Sequence, residues 1–241
     1  MAQCKVHPVE PNVVVRVVRA MAPLPDAVDA EVARIWEHAQ RRMDGRLFNG
    51  RVFSADVITP RLMCGHWTEY RRIVAQMEDH TLFRVIGVRP LAVGGVIVGP
   101  DGVVFGRRPV GAIYQAGEWQ LPPAGSVDPG AERADGTVDV VAQLLAELAE
   151  ELGIAADAVS DPQPLCIVEH AGSHVLDFGI GLRTTLDAQA IHTAHATGGN
   201  GEYAPVQVVP IAALPDFLAQ AGPLLNHQAP VFLRRLGLIN R

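Results

Sequence analysis

An α/β (α+β) sandwich is the fold class that this sequence predicts, on three observations. Runs rich in β-branched residues and runs with helical periodicity follow one another in mixed order along the chain. Two apolar runs, PLAVGGVIV and GVVFGRR, flank Gly99-Pro100-Asp101-Gly102, a strong signal for a tight hairpin. Hydrophobic residues make up 49% of the 241 positions and mean hydropathy is +0.16, enough for one substantial core or a core with an annex.

Taken in order, VVVRVV opens as a strand, and PDAVDAEVARIWEHAQRRMDG reads as an amphipathic helix with Val28, Val32, Ile35 and Trp36 among its apolar positions. Asp26, behind Pro25, is its candidate cap. RVFSADVI is a second strand and HWTEYRRIVAQM a short helix, so residues 1–85 read as an N-terminal α/β extension to a domain spanning 86–241. Beyond the hairpin, the Gly/Pro-rich loop EWQLPPAGSVDPGAERADG leads into a helix from about Val138 to Leu152, with Thr137 as N-cap and Gly153 as its stop. PLCIVEHA and SHVLDFGIGLR are strands, HATGGNGEY a loop and VQVVPI a strand; DFLAQA and APVFLRRLG close the chain as helices.

The charge balance narrows the function classes. Lys and Arg number 20 against 26 Asp and Glu, a net charge of −6 with no long block of one sign, which argues against a nucleic-acid partner. Cys4, Cys64 and Cys166 are odd in number, far apart and without a CxxC pair, which argues against a disulfide framework or a zinc ribbon. The N-terminal residues lack a basic region followed by an apolar one, and the most hydrophobic window, PLAVGGVIVGP, is too short to span a bilayer. A cytoplasmic protein with no membrane partner is expected.

Within LLAELAEELGI, Glu147, Glu150 and Glu151 stand at i, i+3, i+4 on a helix that carries no basic residue. Val140, Val141, Leu144, Leu145, Leu148 and Leu152 share the face that should bury against a sheet, and Glu151 falls at the edge of that face. Carboxylates crowded this way raise one another's pKa unless a cation neutralises them, and a hard divalent ion such as Mg²⁺ suits the spacing. Solvated glutamates on an exposed helical turn are the plainer reading of the spacing alone.

The preceding loop adds to this pattern. LPPAGSVD, an insertion, and a helix ending AELAEELGI resemble the Nudix box, in which a glycine and a variable stretch precede a helix carrying REUXEEXGU, U being aliphatic. Glu147, Leu148, Glu150, Glu151, Gly153 and Ile154 occupy matching positions, with Trp119 and the turn Leu121 to Gly125 as the entry. The family's arginine is replaced by Ala146, its glycine pair reads Ala124-Gly125, and the position of an upstream glutamate falls on Val138, beside Asp139. RLFNGRVFS, TEYRRIVAQ and the run LAVGGVIVGPDGVVFGRRP resemble the UDP-glucose pyrophosphatase type of Nudix protein, whose boxes also lack the arginine.

The resemblance implies an α/β/α sandwich with a mixed sheet, and Mg²⁺-dependent cleavage of a nucleotide sugar to a nucleoside monophosphate and a sugar 1-phosphate, with Mn²⁺ as the substitute ion. It implies Glu147, Glu150, Glu151 and the backbone at Gly125 as metal ligands, and a catalytic role for Glu147 or Glu151. Glu202, in the glycine-rich GGNGEY, is the candidate further base, with Glu169 and Asp177 competing from strands. Arg107 and Arg108 are candidates for the phosphates and Trp119 for the base, although edge-strand and packing roles fit them as well. His170 and His174, flanking Ala171-Gly172-Ser173, read as turn residues rather than zinc ligands. Two other outcomes stay open: a hydrolase of ADP-ribose or dinucleotide substrates, and a nucleotide sensor that does not hydrolyse. The part played by residues 1–85 is open too: they would cover the site, form a homodimer face, or both.

Overall fold

A computed structural model gives the structure of the chain, describing residues 4–112 and 115–240. In chain order the elements are β1 (Lys5–Pro8), β2 (Val14–Val17), α1 (Asp26–Arg42), β3 (Arg51–Ile58), β4 (Leu62–Glu69), α2 (Tyr70–Glu78), α3 (Phe83–Ile86), β5 (Leu91–Gly99) and β6 (Gly102–Arg107). They continue with β7 (Trp119–Gln120), β8 (Ala124–Ser126), α4 (Val140–Leu152), β9 (Val159–Glu169), β10 (Leu176–Thr184), α5 (Ala188–Gly198), β11 (Val206–Val209), α6 (Leu214–Ala221) and α7 (Ala229–Arg235).

The large sheet runs β1-β9-β10-β5-β6-β11, with β7 added to β6 and β8 to β5. It is mixed, because β10 and β5 are parallel while the other pairs are antiparallel. One face packs on α4 and α5 through Val93, Ile97, Leu144, Leu148, Leu152, Ile167, Phe178 and Ile191; the other packs on α6 and α7 through Val96, Cys166, Val168, Leu214, Phe232 and Leu233. The α/β/α sandwich with a mixed sheet is therefore the observed architecture. Burying such apolar side chains is worth roughly 1.5–3 kcal/mol each.

The second sheet, β2-β4-β3, meets the first through its backbone and its core. Phe53 N–H donates to Val127 C=O, Ala55 N–H to Arg89 C=O and Val138 N–H to Val15 C=O, at 2.8 to 2.9 Å. Val15, Phe53, Ala55 and Met63 lie in one apolar cluster with Leu91 and Leu144. The first strand, β1, belongs to the large sheet, pairing Lys5 with Glu169 through Pro8 with Cys166. Among the described residues, no helix is long and apolar enough to cross a membrane.

Several local expectations are corrected. HWTE is the end of strand β4, not a helix, because it continues the antiparallel ladder with β3, across which Trp67 meets Phe53 edge-on at 5.7 Å; the helix begins at Tyr70. Asp26 is the first helical residue of α1 and makes no capping bond, the cap position being Pro25. Val138 is held in an extended bond to Val15, so α4 starts two residues later and Asp139, not Thr137, caps it by accepting from Ala142 N–H at 2.9 Å. HATG is the end of α5, whose sequence hides its amphipathic character: only Ile191 is buried. The stop at Gly153 holds. Its φ is +64°, and a Cβ there would run into Ala194 C=O and Gly198 of α5, so only glycine lets the two helices approach this closely.

Candidate functional site

Because α4 packs on the sheet through Leu144, Leu148 and Leu152, its acidic side chains fall at three different depths. Glu150 is exposed, Glu147 is half-buried, and Glu151 is 1% exposed. Glu151 Oε2 accepts from Ala124 N–H at 2.9 Å, and Gln143 Nε2 donates to Glu147 Oε1 at 2.9 Å. Gln143 in turn accepts from Asp128 N–H at 3.3 Å. Gly125 touches the Glu147 carboxylate so closely that an added Cβ would overlap its oxygens. The glycine is required here for space, not for φ: β8 passes under the carboxylate with no room for a side chain.

The electrostatics follow from this geometry. Burial is the main cause that pushes the Glu151 carboxyl up to about 8; Ala124 N–H opposes it, and Glu147 and Glu150 add to it. Burial also raises Glu147, against the Gln143 hydrogen bond, with help from Glu150 and Asp128. Arg108 is the nearby cation that acts on Glu151.

Beside this stripe lies a cavity of about 360 Å³ lined in part by Ala92, Arg108, Gln120, Ala124, Gly125 and Glu202. Arg108 is ion-paired with Glu202, whose loop is fixed to α4 by the bond from Asn200 N–H to Glu150 C=O at 2.9 Å. Buried Tyr203 donates from its hydroxyl to Gln120 Oε1 at 3.1 Å beneath that pair. Tyr70, Ile73 and Met77 of α2 supply a further wall, so the N-terminal residues help to shape the cavity.

Not every candidate gathers there. Arg107 donates to Gly117 C=O at 3.0 Å and lies over the Trp119 ring at 6.0 Å, while Trp119 packs edge-on against Phe217 at 5.2 Å; neither lines the cavity. Both are occupied in structural contacts on the α6 side. Glu169 is shared between His7 at 2.8 Å and His174 at 3.1 Å. Asp177 does line the cavity, and its Oδ2 is 2.5 Å from His170 Nε2. His170 also meets His227, ring centroids 3.8 Å apart and nearly perpendicular. Residue spacing gave no sign of that contact, since His227 comes from a distant segment ahead of α7.

No family model and no curated protein matches the chain. Solved structures do resemble it. Tm1382, a candidate Nudix hydrolase, is 12% identical, spans 84% of this chain and 96% of its own, and gives a TM-score of 0.46. A Nudix-family hydrolase from Clostridium perfringens is 14% identical over 63% of this chain and 99% of its own, with a TM-score of 0.42. An ADP compounds hydrolase is 21% identical over 61% and 70%, with a TM-score of 0.41. At these identities and scores the likeness assigns neither family nor activity.

Proposed function

We propose that this chain hydrolyses the diphosphate of a nucleoside diphosphate derivative with Mg²⁺, the substrate being a nucleotide sugar such as UDP-glucose. One observation carries the reading: two carboxylates of one helix, Glu147 and Glu151, are held against the bare backbone of Ala124 and Gly125, at the wall of a cavity that also receives Arg108. The donor set fits a hard divalent ion. It is all oxygen, it crowds three carboxylates on a helix that carries no basic residue, and it seats the Glu147 carboxylate directly over Gly125, where a Cβ would displace it. Glu147, Glu150 and Glu151, with the backbone at Gly125, are the residues that would hold Mg²⁺. When bound, the ion neutralises phosphate charge and lowers the pKa of a water.

The chain's own groups supply the rest. Arg108 binds a phosphate oxygen through its guanidinium and leaves Glu202 to do so. The freed Glu202 carboxylate takes a proton from the attacking water as the phosphorus–oxygen bridge breaks, giving a nucleoside monophosphate and a sugar 1-phosphate. Tyr203 and Gln120 hold the floor beneath Arg108. The preference for a UDP-sugar rests on the sequence resemblance around RLFNGRVFS and the arginine-free box.

The deciding assay measures UMP release from UDP-glucose with Mg²⁺, set beside ADP-ribose and repeated with Glu151→Gln. Release that the substitution removes supports the reading. Activity on ADP-ribose alone moves the substrate within the same chemistry. A second reading, a nucleotide sensor, draws on Ala146 in place of the box arginine and on the Arg108–Glu202 pair, which withholds the base. Nucleotide binding without turnover of either substrate would establish it.

A further inference from the structure

We infer that His170, Asp177 and His227 form a binding site for a divalent transition-metal ion of the zinc kind, separate from the glutamates of α4. One ligand atom from each residue lies within 4.8 Å of the others. Tetrahedral zinc ligands at about 2.0–2.2 Å from the ion stand about 3.3–3.6 Å apart, so side-chain movements of about 1 Å close the site. Two imidazoles and a carboxylate suit Zn²⁺, Co²⁺ or Fe²⁺; Mg²⁺ takes oxygen ligands and is a poor match.

The scaffold holds all three in place before any ion arrives. Asp177 is on β10 between two hydrogen-bonded neighbours, in register with Ala92 on one side and Val168 on the other, and is 7% exposed. His170 follows β9, with its N–H bonded to Val175 C=O at 2.9 Å. His227 is positioned by buried Asn226, whose N–H donates to Trp119 C=O at 2.8 Å.

Three features distinguish this cluster from an ordinary buried histidine pair. His227 Nε2 is buried and has no hydrogen-bond partner, which is costly for a polar atom unless something else fills its lone pair. The His170 and His227 rings meet nearly perpendicular with centroids 3.8 Å apart, so both imidazoles converge on Asp177. The neighbouring Glu169 has both oxygens engaged by His7 and His174, so the ligand set is complete with Asp177.

The site also has a defined position relative to the cavity. Asp177, Ala92 and Ser126 form one row across three strands, and all three line the cavity. Asp177 is thus two strand spacings, about 10 Å, from β8. Gly125, the next residue of β8, is in register with Val93 and Phe178, which belong to the core on the α4 face, whereas the row of Asp177 faces α7. The ion would therefore sit at the cavity wall on the opposite face of the sheet from the glutamate stripe. Three protein ligands leave a coordination position for water or a ligand oxygen. Ligation would replace the contact between His170 Nε2 and Asp177 Oδ2 with bonds to the ion.

The test uses full-length protein stripped with a chelator and dialysed against Zn²⁺ in excess Mg²⁺, with Co²⁺ absorption spectra as a ligand signature. A single equivalent of Zn²⁺, and Co²⁺ bands typical of low-symmetry nitrogen–oxygen ligation, are expected for the wild type and for Glu147→Gln/Glu151→Gln. His227→Ala and Asp177→Asn should each weaken Zn²⁺ by more than the ~10–100-fold that loss of an outer partner costs. His227→Gln, which keeps a polar side chain, serves if the alanine variant misfolds. A wild type that takes up no Zn²⁺, folded His227 variants that bind as well as it does, or Zn²⁺ lost only in the glutamate double variant would each overturn the site. None of these results depends on diphosphate hydrolysis.

Discussion

Glu151 Oε2 accepts a hydrogen bond from Ala124 N–H at 2.9 Å, tying the last turn of α4 to strand β8 beside the contact of Glu147 with Gly125. The carboxyl is 1% exposed and pushed up to about 8, so without a cation it holds its proton at neutral pH. Glutamine reproduces the shape and the acceptor of that protonated form. Glu151→Gln should therefore keep the fold, with a melting temperature in chelator at neutral pH equal to or above the wild type. Its Mg²⁺-dependent turnover should fall by roughly 100-fold or more, the scale of losing one positioned electrostatic group. Full turnover in a folded variant would remove Glu151 from the metal site.

The same carboxyl makes the stability of the metal-free protein depend on pH. Its folded value of about 8 lies above the ordinary 4.5, so the folded chain keeps a proton that the unfolded chain releases. Stability is lost as pH rises from about 4.5 to 8. His227 has the opposite sign: at about 4 instead of 6.5, it refuses a proton that the unfolded chain accepts, and stability is lost as pH falls through that window. Between 4.5 and 6.5 the two oppose each other, and above 6.5 Glu151 acts alone. Thermal melts in chelator should show an alkaline limb that Glu151→Gln flattens and an acid limb that His227→Gln flattens. An alkaline limb untouched by Glu151→Gln would refute the buried proton.

Gly125 offers a test of geometry with little change in chemistry. Its φ is not positive, so alanine is tolerated by the backbone, yet the added Cβ would displace the Glu147 carboxylate. Gly125→Ala should shift the Mg²⁺ dependence of turnover to higher concentration and reduce the maximal rate about 10-fold or more, since sub-ångström placement governs such sites. Thermal stability should change by less than about 1.5 kcal/mol, because Glu147 is half-buried and can swing outward. A Mg²⁺ titration superimposable on the wild type would mean that Glu147 is not a ligand.

Much of the fold was legible because its signals were local. The hairpin at Pro100-Asp101, the strand RVFSADVI and the stop at Gly153 all depend on residues within a few positions of one another. HWTE read as helix because the sequence cannot display its ladder with β3. Thr137 read as a cap because the bond that extends Val138 comes from Val15, far away in the chain. The glutamate stripe was visible through its i, i+3, i+4 spacing, and the structure adds what spacing does not encode: that one of the three is buried, one half-buried and one exposed. Arg107 and Arg108 looked equivalent as neighbours, but strand alternation sends one to Trp119 and the other to the cavity. The His170–Asp177–His227 cluster had no local signature at all, being assembled by the turn after β9, strand β10 and the segment before α7.

That divergence of adjacent arginines gives a paired prediction. Arg108 lines the cavity and is ion-paired with Glu202, whereas Arg107 bonds Gly117 C=O and covers Trp119. A guanidinium bonded to a phosphate is worth about 1.5–3 kcal/mol, or roughly 10- to 150-fold. Arg108→Ala should lower kcat/KM for a diphosphate substrate by that factor, mainly through KM. Arg108→Lys should recover only part of the loss, because an ammonium lacks the planar fork. Arg107→Ala should cost less than about 1 kcal/mol of stability, a cation–π contact and a bond to one carbonyl, and leave kcat/KM within about 3-fold. Equal losses in both alanine variants would show that the two arginines act on the site together and that the cavity is not where the phosphates bind.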